Sequence, residues 1–208
     1  QAVGFTDAVT TATVATPMIQ LSGAVTARSA GGLDDPFFVQ VGLPVANLST
    51  LNTAQARRAG ASPLVVTLTS TAPAIGTFVA TGQGGGSQTV ATGAGASASP
   101  STVATGGIAL RYLSPGTTDI SVSHPQIAST TTTGSATIIV TVPIITLNAI
   151  PTVGAGLQIG ATGSLTAPQH GGITVVVRSA DPSVARVALL VTDVAADSIL
   201  IPLADGVS

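Results

Sequence analysis

Few residues in this chain could do chemistry, and none stands beside the partners that would let it. The only histidines are His124 and His170. A metal-binding or catalytic imidazole needs convergent ligands, and neither has cysteine, glutamate or a second histidine nearby in sequence. His170, just before Gly171-Gly172, reads as a loop residue. Asp34-Asp35 and the spaced Asp193, Asp197 and Asp205 offer oxygens of the kind calcium takes. They match neither an EF-hand loop nor a Gly-rich nonapeptide, and turn-initiating aspartates account for them equally well. Gly154-Ala-Gly156-Leu-Gln-Ile-Gly160 brushes against the dinucleotide fingerprint, but no helix can follow through Gly160-Ala-Thr-Gly163, so the phosphate cradle is missing. Ser87, after Gly85-Gly86, has none of the strand–elbow–helix context of a nucleophilic serine. Asn47-Leu-Ser49 is a formal N-glycosylation sequon. No catalytic, cofactor-binding or metal-ligating residue is assigned from these patterns, no cofactor is implied, and the chain is expected not to be an enzyme.

Three aromatic residues invite a structural reading instead. Phe37 and Phe38 are adjacent and must point to opposite faces of a strand, so one belongs to the core and the other is exposed or covered by a partner. Tyr112, entering a late strand, is expected as half-buried core or as a corner tyrosine tied to backbone.

The elements that position these residues follow from composition. All six basic residues are arginine and all eight acidic ones aspartate, 7% charge in 208 residues with a net charge of −2. Six scattered arginines give no basic face for phosphate neutralisation, so nucleic acid is not an expected partner. Threonine and valine, 31 and 24 residues, suit half-buried strands, whereas the lysine and glutamate of helix surfaces are absent. Alanine is the abundant helix former, but it is interspersed with glycine, threonine and proline. The best helical candidate is Leu51–Ala59, one short segment. A mean hydropathy of +0.60 is high, yet no run of 18 apolar residues occurs, so no transmembrane segment is expected. Without cysteine there is no disulfide framework. So weakly charged a surface must stay soluble through hydroxyls, glycans or burial in an assembly. The chain starts at Gln1 and is expected to be a processed product or a fragment, its signal peptide already removed.

A self-match gives the organisation. Val14-Ala-Thr-Pro17-Met-Ile-Gln-Leu21 lies over Val140-Thr-Val-Pro143-Ile-Ile-Thr-Leu147 at an offset of 126. Val66–Ile75 lies over Val175–Val184 at 109, and Val41-Gly42 over Val153-Gly154 at 112. On this alignment the first copy carries 17 extra residues, mostly in Gly23–Gln40. Three segments follow: residues 1–16, the terminal strand of a preceding module or a donor strand; 17–142, a complete module; and 143–208, a partial one lacking its last strands. Breakers bound strands at Pro17–Leu21, Phe37–Val41, Leu64–Thr69, Thr77–Ala80, Ser87–Ala91, Gly107–Leu113, Asp119–Ser123 and Ala136–Val142. Short strands with this punctuation predict an all-β chain of tandem Greek-key β-sandwich modules, the second incomplete.

Arg178-Ser-Ala-Asp-Pro-Ser-Val184-Ala-Arg-Val187 resembles the strand-turn of bacterial immunoglobulin-like repeats. Leu113-Ser-Pro-Gly-Thr-Thr-Asp-Ile-Ser-Val122 is similar to a later strand of those repeats, and His170–Val177 to the strand before the Asp-Pro turn. The first module departs from the pattern, with Ala72-Pro73 in place of Asp-Pro. The resemblance covers most of residues 17–208. It implies a secreted bacterial protein of the cell surface, in which such modules form stalks, adhesins or surface layers.

A structural role is therefore expected: a subunit or repeat segment of an extracellular filament, sheath or stalk. The alternative is an adhesin-type module whose segment Gly23–Gln40 or loop Ala80–Ser101 contacts a cell-surface receptor or glycan. The first reading implies further copies of the chain as partners, associating head-to-tail. The open second module would be completed either by more of a longer polypeptide or by residues 1–16 of another subunit, with Val9–Val14 paired in a sheet outside the first module.

Overall fold

A computed structural model describes residues 9–208. The strands are β1 Met18–Ser22, β2 Ala27–Ser29, β3 Asp35–Pro44, β4 Leu51–Ala54, β5 Leu64–Ser70, β6 Gly76–Ala80, β7 Gln83–Gly85, β8 Ser87–Thr92, β9 Ile108–Tyr112, β10 Gly116–Ser123, β11 Ser135–Thr141, β12 Ile145–Leu147, β13 Gly163–Leu165, β14 Ile173–Arg178 and β15 Ser198–Leu203. One 3-10 turn, Val103–Thr105, is the only helical element among the described residues. The chain is all-β, and each of the eight expected strands is present.

Strands β1 to β11 form two sheets. One runs β1-β3-β9-β6-β7, with β4 also on β3; the other runs β2-β11-β10-β5-β8. Neighbours are antiparallel except β2, which lies parallel to β11 through Ala27↔Ile139 and Ser29↔Thr141. Alternation decides which side chains face inward: in β5, Leu64, Val66, Leu68 and Ser70 are buried while Val65 and Thr69 face water. The inward faces of both sheets meet in one core, in which Phe37 and Phe78 pack with ring centroids 6.1 Å apart. Phe37 is fully buried, and Phe38 lies half-buried on the other face beside Gly23.

Leu51–Ala59 is not helical. Its first four residues are β4, antiparallel to β3. A hairpin tip closes between them by Val45 N–H to Thr50 O at 3.0 Å, and the Gln20 side-chain oxygen accepts from Leu51 N–H and Thr50 Oγ1, each at 2.9 Å. These tertiary partners outweigh the helix propensity of two or three alanines, worth tenths of a kcal/mol each. Gly42 permits the approach, because a Cβ there would collide with the Thr53 carbonyl.

Residues 143–208 form two further two-stranded sheets, which the sequence alignment sets against strands of the first part. Strand β12 pairs with β13, and β14 with β15. Leu64, Val66 and Leu68 of β5 lie over Ile173, Val175 and Val177 of β14, and both triplets are the inward-facing set. Pairing corrects the middle of the alignment, however. Ile19 stands opposite Val41, and its counterpart Ile145 stands opposite Leu165, not Val153. Leu165 is 8% exposed against 6% for Val41. The offset there is 124, so the extra length of the first copy falls in the β4 region between Pro44 and Leu64 rather than in Gly23–Gln40. Val153-Gly154 carried the same two letters by coincidence; strand pairing, not identity, defines the equivalence.

Of the N-terminal segment, residues 9–16 belong to no strand, and all are exposed, Val9 at 93% and Val14 at 95%. The rest of it lies outside the described residues. No helix among the described residues is long and apolar enough to cross a membrane.

Candidate functional site

Two arginine–aspartate pairs gather where β2, β3 and β9 meet, next to the start of residues 143–208. Strand β2 belongs to one sheet and β3 to the other, and Arg28 bridges them: its Nε donates to Asp35 Oδ2 at 2.7 Å and its Nη2 to Oδ1 at 2.9 Å. Tyr112 on β9 is 1% exposed. Its hydroxyl donates to the same Asp35 Oδ2 at 2.9 Å, with the Val25 carbonyl at 3.3 Å. The guanidinium holds the Asp35 carboxyl below its ordinary range, and Asp35 in turn raises Arg28. Burial, with Asp35 close by, pushes the Tyr112 phenol well above its ordinary value. A second fork lies alongside, Arg111 Nε and Nη2 to the two oxygens of Asp34 at 2.9 and 2.7 Å. Two of the five aspartates considered for calcium, Asp34 and Asp35, are thus engaged by arginine. Tyr112 is fully buried rather than half-buried, and its hydroxyl is held by a carboxylate, with a backbone carbonyl farther off.

Directly above this knot the second unit docks. Tyr112 accepts at its carbonyl from Gly31 N–H at 2.8 Å, and Gly31 O accepts from Gln169 N–H at 2.7 Å. Ser29 Oγ donates to Thr166 Oγ1 at 3.0 Å, and Thr166 Oγ1 also accepts from Ile144 N–H at 2.9 Å. Ala167 is 3% exposed. Gly31 has φ +68, and a Cβ there would stand 3.1 Å from Gln169 O and 3.3 Å from the Ala167 methyl. The segment Gly23–Gln40, weighed as a receptor-binding insertion, instead supplies β2, the ion pairs and the seat for residues 166–169.

The remaining candidates stay apart. His124 Nδ1 accepts from Gln126 N–H at 3.1 Å. His170 sits in a loop, Nδ1 accepting from Gly172 N–H at 3.0 Å; the proton is then on Nε2, which faces Val207 O at 3.1 Å. Asp193 accepts from Leu190 N–H, Asp205 from Gly171 N–H, and Asp197 lies 3.5 Å from Arg186. No three metal-ligating side chains cluster among the described residues. Gly154–Gly160 forms a turn, closed by Leu157 N–H to Gly154 O at 3.0 Å. Ser87 opens strand β8, paired with Thr69 of β5. Asn47 is exposed at the β3–β4 tip, its Oδ1 accepting from Ser49 N–H and Oγ.

The Asp181-Pro182 turn is capped by its own aspartate. Asp181 Oδ1 accepts from Ser183 Oγ at 2.6 Å and Ser183 N–H at 3.0 Å, which lowers its pKa. At Ala72-Pro73 the side chain is lost, and Thr118 Oγ1 from β10 accepts from Ala72 N–H at 2.9 Å. Sequence reading missed both arginine forks. The one available signal was the scarcity of charge, six arginines and eight aspartates in 208 residues.

Compared with protein-family models, with curated proteins and with solved structures, the chain matches none.

Proposed function

We propose that this chain is a structural protein of the bacterial cell surface, a subunit or repeat segment of an extracellular filament, sheath or stalk made of immunoglobulin-like modules. The carrying observation is the junction. Between the end of β11 at Thr141 and β12 at Ile145 there is no flexible linker, and residues 166–169 are hydrogen-bonded onto Ser29 and Gly31. A repeated unit fixed end to end on its predecessor is how a stiff array is made, and stiffness is what a stalk requires. The parallel β2–β11 edge and the repeated crossing between sheets favour an immunoglobulin-like Greek key for the first unit.

The adhesin alternative has less support, since Gly23–Gln40 is used internally. Two measurements decide. NMR relaxation of the full chain should give one rotational correlation time for residues 18–141 and 145–203, and negative-stain microscopy should show ordered polymers. Two independent correlation times, or discrete monomers that bind cells or glycans, would overturn the proposal.

A further inference from the structure

We propose that Asn47 is a modification site, whose carboxamide nitrogen carries an N-linked glycan. The inference does not depend on whether the chain builds a filament. Of the three asparagines, Asn47, Asn52 and Asn148, only Asn47 has a hydroxyl residue two places on, in Asn47-Leu48-Ser49. Asn52 is followed by Thr53-Ala54, and Asn148 by Ala149-Ile150. A three-letter pattern gains force from the place the fold gives it.

That place is the tip of the β3–β4 hairpin. Leu48 N–H donates to Val45 O at 2.9 Å, closing a turn around Ala46 and Asn47. Ala46, Asn47 and Leu48 are all exposed, Leu48 at 45%. The tip is nevertheless fixed. The Leu48 carbonyl accepts from Thr131 N–H at 2.9 Å, and the Ser49 carbonyl from Thr132 and Thr133 N–H at 3.1 and 3.2 Å. These bonds hold Leu48 at φ +60, where no other non-glycine among the described residues has a positive φ.

The side chain is arranged for reaction at nitrogen. Asn47 Oδ1 accepts from Ser49 Oγ at 2.8 Å and from Ser49 N–H at 3.2 Å. A backbone N–H can only donate, so the oxygen is the atom facing Ser49, and Nδ2 is turned away from it. Among the described residues no hydrogen bond engages Nδ2 of Asn47, whereas Asn148 donates its Nδ2 to Thr162 Oγ1 at 2.7 Å. Two donors on Oδ1 stabilise the negative charge that gathers there as Nδ2 gives up a proton. The Ser49 hydroxyl is thus the group that prepares the amide.

The surroundings leave room for a sugar. Strand β3 runs from Asp35 in the arginine knot to Pro44, nine steps of ~3.3 Å, so Asn47 stands about 30 Å from the seat of residues 166–169. Neither residues 43–54 nor the facing loop 129–133 contains a charge, and a glycan would bring the hydration that ionic groups do not. The transfer takes a glycosyl diphosphate, nucleotide- or lipid-linked, and a transferase of the cell that makes the chain. Nδ2 attacks the anomeric carbon with its electron pair. The C–O bond to the diphosphate breaks as the N–C bond forms, its pair leaving with the diphosphate, and the proton lost from nitrogen passes to a base of the transferase.

Trypsin, cutting after Arg28 and Arg57, places Asn47 and Asn52 in one peptide, residues 29–57. Mass spectrometry of protein isolated from its native cells should find this peptide heavier by one or more sugar residues. Fragments should place them on Asn47 and not on Asn52, and the adduct should survive the mild alkali that strips sugars from serine and threonine. A lone monosaccharide marks a nucleotide-linked donor, a preassembled oligosaccharide a lipid-linked one. Asn47→Gln and Ser49→Ala should abolish the adduct and Ser49→Thr keep it, while the circular dichroism of all three stays that of the parent. An unmodified peptide 29–57, an alkali-labile adduct, or one retained in Ser49→Ala overturns the proposal. Polymers built from unmodified chains overturn it and leave the filament reading intact.

Discussion

At the scale of single residues, the group under greatest constraint is Asp35. Its carboxylate receives the Arg28 fork and the Tyr112 hydroxyl, with its side chain 13% exposed. Its folded pKa is lowered, first by the Arg28 hydrogen bonds. The stabilisation is therefore present above the unfolded value near 3.9 and is lost as pH falls through the lower folded value. Urea unfolding should show a midpoint that drops between about pH 4 and pH 2, and Asp35→Asn should flatten that drop. Tyr112 acts at the other extreme. Its raised pKa favours the neutral phenol, so stability is full below about pH 10 and declines above it as the unfolded chain ionises. Tyr112→Phe should remove this alkaline decline and cost about 1–2 kcal/mol at neutral pH, the worth of a buried hydrogen bond with a charged acceptor. Unchanged pH profiles in both variants would show that the knot does not hold the sheets.

At the scale of elements, two strands that the alignment sets against each other differ in enclosure. Leu68 in β5 is fully buried, and its counterpart Val177 in β14 is half-buried. Leu68→Ala should cost about 2–5 kcal/mol in the cooperative unfolding of the first unit, and Val177→Ala under about 1 kcal/mol in the isolated chain. Equal losses by urea titration would mean that β14 is already enclosed. The junction gives a second test. Gly31→Val forces a branched side chain into φ +68 against Gln169 O and the Ala167 methyl. It should uncouple the tumbling of the two units by NMR relaxation. Elements were legible in the sequence wherever alternation was strong, as in Leu64–Ser70 or Ser135–Thr141. Strands β2 and β4 were not, because neither has an alternating pattern: β2 is held by β11 and Arg28, β4 by Gln20 and the β3 hairpin. The arginine knot was equally hidden, since Arg28 and Asp35 meet across two sheets and Arg111 and Asp34 are 77 residues apart.

At the scale of the whole molecule, surface is the decisive quantity. A compact monomer of 20.1 kDa has an accessible surface of about 8,700 Å² by the usual scaling. This chain exposes 12534 Å². Much of the excess is apolar and lies outside the first core: Val14 at one end, and Ile145, Leu157, Val176, Leu190 and Leu200 at the other, are all about half or more exposed. Charge cannot drive the covering of such surface, because 208 residues carry only six basic and eight acidic groups. The assembly proposed above, if driven by apolar burial, has a distinct signature. Sodium chloride between 0.05 and about 0.5 M shortens the Debye length from above 10 Å to under 5 Å, yet should leave the polymerised fraction in sedimentation nearly constant. Warming from about 5 to 30 °C should increase it, as apolar association strengthens with temperature in this range. Sulfate, excluded from protein surface, should increase it further. Polymers that dissolve in moderate salt and form better in the cold would instead be held by ion pairs. Arg28, Arg111 and Arg186, with Asp35, Asp34 and Asp197, would then be the contacts to map.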